Sequence, residues 1–449
     1  MSYVFAVTRH DSHFYDAAWY ELESDEVASG HGFTDPFVAL REPDAPVEPS
    51  AQHPPLTVFV LAPVAWVTGE SALAMRLAMA ALGAITVGML GILGREIAND
   101  TTGFVAAVIA ALYPFLWVND GLLMSETLCA LTITLCIYFA YRFSNRPTLG
   151  RAAILGVLCG IAALARTELI LLVPLFGIWF LVARNRVMRA VRWRAFGALV
   201  AGAALMTMPW VAYNLARFDE PTFLSTNDGV ALLGSNCAAV YSGSAIGGTN
   251  LTPGVCLPRV PPRGDDSVEA RVYREKALSY IGRHEVRFPV VLAARVGRTW
   301  GLFRPQDELP AGEGEGRARW ITTLGLIWYY PLTLLALGGA VVLHRRGVAL
   351  WPLMTGPVIV VVSAVVSFGK MRFRVPAEPA LVLLAAVAVA VLCARVALGR
   401  RSHVCSSSSA KTPRASRHGL HRPPTENARC VDHKARLARG VFAIRQRFT

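Results

Sequence analysis

Charge is scarce in this chain. Asp, Glu, Lys and Arg make up 17% of its 449 residues and hydrophobic residues 54%, with a mean hydropathy of +0.42. So few charged side chains cannot coat a soluble protein of this length, which excludes that class and leaves a membrane-embedded chain. Metal-ligand spacing is missing as well. There is no CxxC, HExxH, paired-histidine helix or Asp-x-Asp, so no cofactor is expected to be obligatory and nothing indicates a divalent metal. Strict period-two alternation is also missing, which excludes a membrane β-barrel. Internal repeats and a signal peptide are not seen either.

What the sequence has in quantity is long apolar runs. Met75–Leu93, Phe104–Val118, Leu122–Tyr141, Ala152–Ala165, Leu169–Val182, Ala195–Val211, Ile321–Leu343, Ala349–Phe368 and Val375–Ala394 mostly approach the roughly 20 residues a spanning helix needs, giving about nine spans. Helices are required because every backbone amide must be satisfied inside lipid. Leu56–Val67, at about a dozen residues, reads as an interfacial or re-entrant helix.

Arginines sort the connecting segments. Arg142, Arg146 and Arg151, then Arg184 to Arg194, then Arg345 and Arg346, then the tail from Arg400 all fall on one side, taken as cytoplasmic by the positive-inside bias. The opposite side, at the cell membrane's outer face, then receives residues 1–70 as a first loop with interfacial helices and 215–320 as a loop or small domain. Residues 71–214 and 321–398 supply the spans, and 399–449 form a basic, disordered cytoplasmic tail. That tail supplies most of the net charge of +13 and is a juxtamembrane segment near anionic lipid, not a nucleic-acid arm. The count places Met1 outside, and Tyr3–Val7 is too short for a span. The expectation is a chain beginning inside or just after a missing first helix.

Of 8 cysteines, Cys237 and Cys256 share the outer loop. Two cysteines in an oxidising compartment pair, so a disulfide is expected. Cys129, Cys136, Cys159 and Cys393 lie in apolar runs as small buried hydrophobes.

Ionisable residues at span mouths are the functional candidates, because charge in hydrocarbon is costly. Asp16 heads a helix whose Tyr15, Ala18, Trp19 and Leu22 make an apolar stripe, leaving Asp16, Tyr20 and Glu23 on another face. Asp120 precedes a span and fits either a helix cap or a site acid, whereas Glu126 already enters hydrocarbon. His53 sits in the rigid HPPL segment, as a ligand or a plain surface histidine. Lys370, Arg372 and Arg374 in GKMRFRVP violate the charge bias. They are either snorkelling anchors or binders of an anionic headgroup, for which the guanidinium fork suits phosphate oxygens.

The stretches YDAAWYELESDEVASGHGF, AQHPPL, NDGLLMSETL, STNDGVALLGSNC and GKMRFRVPAEPALVLLAA together resemble one family. It is the polyprenyl-phosphate-dependent membrane glycosyltransferases, which include protein O-mannosyltransferases and the lipid A aminoarabinose transferase. The resemblance spans nearly the whole chain before the tail. It implies an all-α polytopic protein of the C-type glycosyltransferase architecture, with an extracytoplasmic loop domain. By counting back from Gly30-His31-Gly32-Phe33, it implies that Asp16, not Asp11, is the catalytic base. It carries a phosphate-reaching role to His53, where some relatives have lysine, and an acid role to Asp120 with Glu126 beside it. The implied reaction moves a mannose- or arabinose-like sugar from a polyprenyl-phosphate donor to a hydroxyl of a protein, lipid or glycan, with inversion. Tyr20 would help position Asp16 or the acceptor. A transporter or flippase is the rival class, and a non-catalytic assembly subunit a third.

Overall fold

The computed structural model describes residues 16–41, 48–182 and 186–409. Asp11, Tyr15 and the tail beyond 409 lie outside them. Within them the chain is helical, with two isolated β-bridges, Thr34 to Pro49 and Pro253 to Leu257, and no extended strand.

Helices α1 (Asp16–Ala28), α2 (Pro36–Arg41) and α3 (Leu56–Thr68) precede the bundle. α4 (Ala72–Ile97) starts where the Ser71 hydroxyl accepts from the Ala74 amide, 3.4 Å, and α5 (Asp100–Leu112) where Asn99 Oδ1 accepts from the Thr102 amide, 2.9 Å. Both side chains satisfy amides that a helix start leaves free. Pro114 lacks an amide proton and breaks the next run. α5 therefore bends by 70° into α6 (Pro114–Trp117) and a 3-10 turn over Val118–Gly121. α7 (Glu126–Asn145), α8 (Leu149–Ala165), α9 (Leu172–Val182) and α10 (Arg186–Leu215) follow.

The outer loop holds α11 (Asn227–Gly234), α12 (Asp266–Arg283), α13 (Phe288–Thr299) and α14 (Glu308–Glu313), before α15 (Arg319–Arg345), α16 (Trp351–Val366) and α17 (Glu378–Ser409) close the bundle. A disulfide joins Cys237 and Cys256 in that loop. Each apolar run is thus a helix or a broken helix. Among the described residues, five helices can cross a membrane by length and composition, and six if the bent pair counts as one; α3, α8, α16 and the segment containing α9 are shorter apolar helices.

The bundle core joins residues of α4, α5, α7, α8, α9, α10, α15, α16 and α17, with Ala380 to Val387 of α17 buried throughout. Small residues allow close helix approach: a Cβ at Gly156 of α8 would lie 2.1 Å from the Leu199 carbonyl oxygen of α10. With Gly202 facing back across the same contact, this is how helices associate where apolar burial gives little drive. Buried Arg295 of α13 ties the outer loop to the bundle, donating to the Val365 carbonyl at 3.1 Å and to the Ser235 carbonyl at 2.6 Å.

Candidate active site

Alternating helix direction brings the starts of α7, α15 and α17 and the ends of α8, α10 and α16 to one end of the bundle. The arginine-bearing turns at 142–151 and 345–346 stand at the other. At the first end α1 packs against α3. Its buried residues are Ala17, Trp19, Tyr20, Glu23 and Ser24, so the inward stripe is rotated from the expected Ala18–Trp19–Leu22 face: Ala18 and Leu22 are half-buried and Tyr20 and Glu23 turn inward. Asp16, at the first turn of α1, consequently meets the cleft.

That cleft is lined by Asp16, Tyr20, His53, Glu126, Arg166 and Arg372, among others. Arg372 is its hub. Arg372 Nη2 donates to Asp16 Oδ2 at 2.5 Å and Nη1 lies 3.2 Å from Glu315 Oε1, while Nε stands 3.8 Å from Glu126 Oε1. Glu126 is 1% exposed and pairs at 3.0 Å with Arg166, whose Nε binds Glu168 at 2.7 Å. Both guanidinium groups lie over the Phe373 ring, 5.3 and 5.4 Å from its centre. Glu315 also takes Lys370 on Oε1 and Arg317 on Oε2, the latter at 2.5 Å.

The electrostatics follow from these pairs. Burial opposes ionisation of Asp16, but Arg372, with Lys370 further off, outweighs it and holds the carboxyl well below its usual range. Burial likewise opposes Glu315, and Arg372, Arg317 and Lys370 bring it down to about 2. His53 is wedged in an aromatic corner, stacked on Tyr20 with ring centres 5.0 Å apart and edge-on to Trp19 at 5.0 Å. Burial lowers its pKa more than Asp16, 3.8 Å away, raises it. The imidazole is therefore neutral at pH 7, a hydrogen-bonding group in place of a cation.

Two residues named from sequence stand elsewhere. Asp120 accepts from Thr127 Oγ1 at 2.8 Å and packs against α4, where a Cβ on Gly83 would lie 1.8 Å from Asp120 Oδ2. It is absent from the cleft lining. Arg374 is 1% exposed, donates to Glu378 Oε1 at 2.6 Å and stacks 3.6 Å from the Tyr329 ring centre. The reason is local geometry. Residues 371–377 form a 3-10 helix, not a strand. Two residues apart, side chains differ by about 240°, so Arg372 faces the cleft and Arg374 the core. Lys370 lines a second, more open cavity that shares Phe368 with the first and also holds Arg298, Arg304 and Thr249.

Sequence reasoning missed Glu315, Arg317 and the pairing role of Arg166. The Arg166-Thr167-Glu168 triplet between two apolar runs was a usable signal. Glu315, in GEGEGR, carried none, since only the tertiary fold sets it against residue 372. Among the described residues, no group of three or more His, Cys, Asp or Glu could hold a metal ion.

Helical bundle and one-ended cleft define a class first: a polytopic membrane protein with paired acids and arginines gathered at one mouth. Comparison then narrows it. The model of the dolichyl-phosphate-mannose-protein mannosyltransferase family matches residues 52–213. No curated protein matches in sequence. Among solved structures, the Archaeoglobus fulgidus oligosaccharyltransferase tethered with an acceptor peptide is 13% identical, covering 97% of this chain and 51% of its own, with a TM-score of 0.50. Archaeal AglB from the same organism, in complex with an inhibitory peptide and a dolichol-phosphate, is 14% identical over 96% of this chain and 50% of its own, TM-score 0.49. ArnT from Cupriavidus metallidurans bound to undecaprenyl phosphate is 13% identical over 87% and 76%, TM-score 0.42. The chain spans about half the length of the archaeal enzymes it matches. At such identity the first likeness speaks for the fold: this is the helical membrane fold of that oligosaccharyltransferase, and over residues 52–213 the chain is similar to polyprenyl-phosphate-dependent mannosyltransferases.

Proposed function

We propose that this protein is an integral membrane glycosyltransferase that moves one mannose- or arabinose-like sugar from a polyprenyl phosphate to an acceptor hydroxyl, with inversion, on the extracytoplasmic face. The observation that carries the reading is Asp16 on Arg372 in a cleft at the mouth of the bundle. A carboxylate and a guanidinium in one place are the two groups the reaction needs. Asp16 takes the proton of the acceptor hydroxyl as its oxygen bonds to the anomeric carbon. The bond from that carbon to phosphate oxygen breaks, and the pair of electrons leaves on the phosphate, beside Arg372. Burial of Glu126 and Arg166 as a pair keeps the floor of the cleft rigid.

His53 serves as a neutral donor to phosphate or acceptor, and Tyr20 holds it by stacking. Lys370 contributes positive field from the adjoining cavity, from which a water-borne acceptor reaches the cleft past Phe368. Arg374 stands outside this machinery, and Asp120 supports it through α4 and α7. The sugar is delivered from a lipid carrier, and the acceptor is a protein, lipid or glycan outside the cytoplasm. By the positive-inside bias, the arginines at 142–151 and 345–346, at the end of the bundle opposite the cleft, support that sidedness.

A transporter would place its charges near the midplane. Here the acids and arginines of the cleft gather at one end, which favours chemistry at a surface over passage through it. Transfer of radiolabelled mannose from dolichyl or polyprenyl phosphate mannose in membranes containing the protein, set against parallel lipid-translocation measurements, tests the reading. Translocation without sugar transfer contradicts it.

A further inference from the structure

Arg372 is the group on which the proposed function places the leaving phosphate, yet in the free protein its fork is occupied. Asp16 holds Nη2 at 2.5 Å and Glu315 holds Nη1 at 3.2 Å. Glu315 is only 7% exposed and is itself locked by Arg317 and Lys370, so it cannot swing away. Asp16, at the edge of the cleft with its side chain 26% exposed, can.

We infer that Asp16 and the donor's phosphate compete for Arg372, and that Glu315 is the positioning residue that holds the guanidinium still while the partner opposite it is exchanged. This rests on the function proposed above and deepens it. The charges balance through the step. The donor's phosphodiester carries one negative charge, and Asp16 carries another. When the acceptor's proton arrives, Asp16 becomes neutral and its hold on Arg372 lapses. When the sugar–oxygen bond breaks, the phosphate gains the electron pair and its hold on Arg372 strengthens. One guanidinium thus follows the negative charge from base to leaving group. Asp16 is a poor base until phosphate has begun to draw Arg372 from it.

A counter-intuitive binding result follows. Removing the charge of the base should improve affinity for the lipid phosphate. The probe is farnesyl phosphate, titrated against full-length protein in nanodiscs, with farnesol as the control lacking phosphate. Asp16→Asn should bind farnesyl phosphate about tenfold more tightly than wild type, the size of one charge pair weakened by solvent, with farnesol unchanged. Glu315→Gln should also tighten binding by about fivefold through the same field, and in a transfer assay lower turnover more than it alters donor KM, because Arg372 is no longer held in place. A merely structural role for Glu315 predicts weaker binding, never tighter. In an Arg372→Ala background, Asp16→Asn should give no gain. Equal or weaker binding by Asp16→Asn, or a gain that survives loss of Arg372, overturns the competition while leaving the proposed function standing. No saturable binding of farnesyl phosphate to wild type overturns both.

Discussion

Arg372 and Arg374 are two residues apart and chemically identical, and the structure predicts that replacing them fails in different ways. Arg374→Ala removes one partner of an ion pair in which both side chains are no more than 2% exposed. Glu378 Oε1 loses its 2.6 Å bond, Oε2 already has none, and Tyr329 loses the guanidinium stacked 3.6 Å from its ring centre. Breaking a buried pair from one side typically costs about 3–5 kcal/mol, whereas replacing both partners by packing groups is often near neutral. Arg374→Ala should therefore reduce folded yield and thermal stability in detergent, and Arg374→Met with Glu378→Leu should restore most of the loss. Arg372→Ala should cost less stability than Arg374→Ala, because Glu315 keeps Arg317 and Lys370 and Asp16 stands at the edge of the cleft, while losing a charge-assisted contact of about 1.5–3 kcal/mol to donor phosphate. Thermal unfolding monitored by tryptophan fluorescence, together with farnesyl phosphate binding, separates the two. A stable Arg374→Ala protein with lost phosphate binding would show that the argument from 3-10 geometry is wrong.

Other outcomes follow from single contacts. Gly83→Ala should destabilise by about 1–3 kcal/mol by driving a methyl into Asp120, read by the same melts, and Gly83→Ala with Asp120→Ala should recover part of it. Burial pushes the Glu23 carboxyl up to about 9, so the folded state holds a proton that the unfolded chain gives up near its usual value. The resulting stability is full at low pH and declines as pH rises towards 9. Glu23→Gln should flatten that slope, checked by melts at pH 5 and 8. Replacing Cys237 and Cys256 by serine should cost about 2–4 kcal/mol in the outer loop, visible as faster proteolysis of residues 238–255.

Much of the helix layout was legible because a bilayer imposes one rule on every segment: apolar, about twenty residues long, and helical. The break at Pro114 was hidden inside the run Phe104–Val118, since composition does not report the bend that a missing amide produces. At the site, Glu126 and Arg372 could be named because each is an ionisable residue out of place at the end of an apolar run, whereas Asp16 and His53 were singled out by the resemblance of YDAAWYELESDEVASGHGF and AQHPPL. Arg374 looked equivalent to Arg372 because both break the charge bias in one short segment, and only the 3-10 turn over residues 371–377 separates their faces. Glu315 was invisible, since an acid in a glycine-rich loop is ordinary until the fold sets it against Lys370, Arg317 and Arg372.

Transfer of labelled sugar from polyprenyl phosphate by wild type and by Asp16→Asn, at matched expression and with farnesyl phosphate binding measured alongside, tests the central claim most directly. Asp16→Asn keeps the size of the side chain but cannot take the acceptor's proton. The predicted result is a turnover lower by about a hundredfold or more with lipid phosphate still bound. Near-normal transfer by Asp16→Asn, or no transfer by wild type from any polyprenyl-phosphate sugar, would contradict the account.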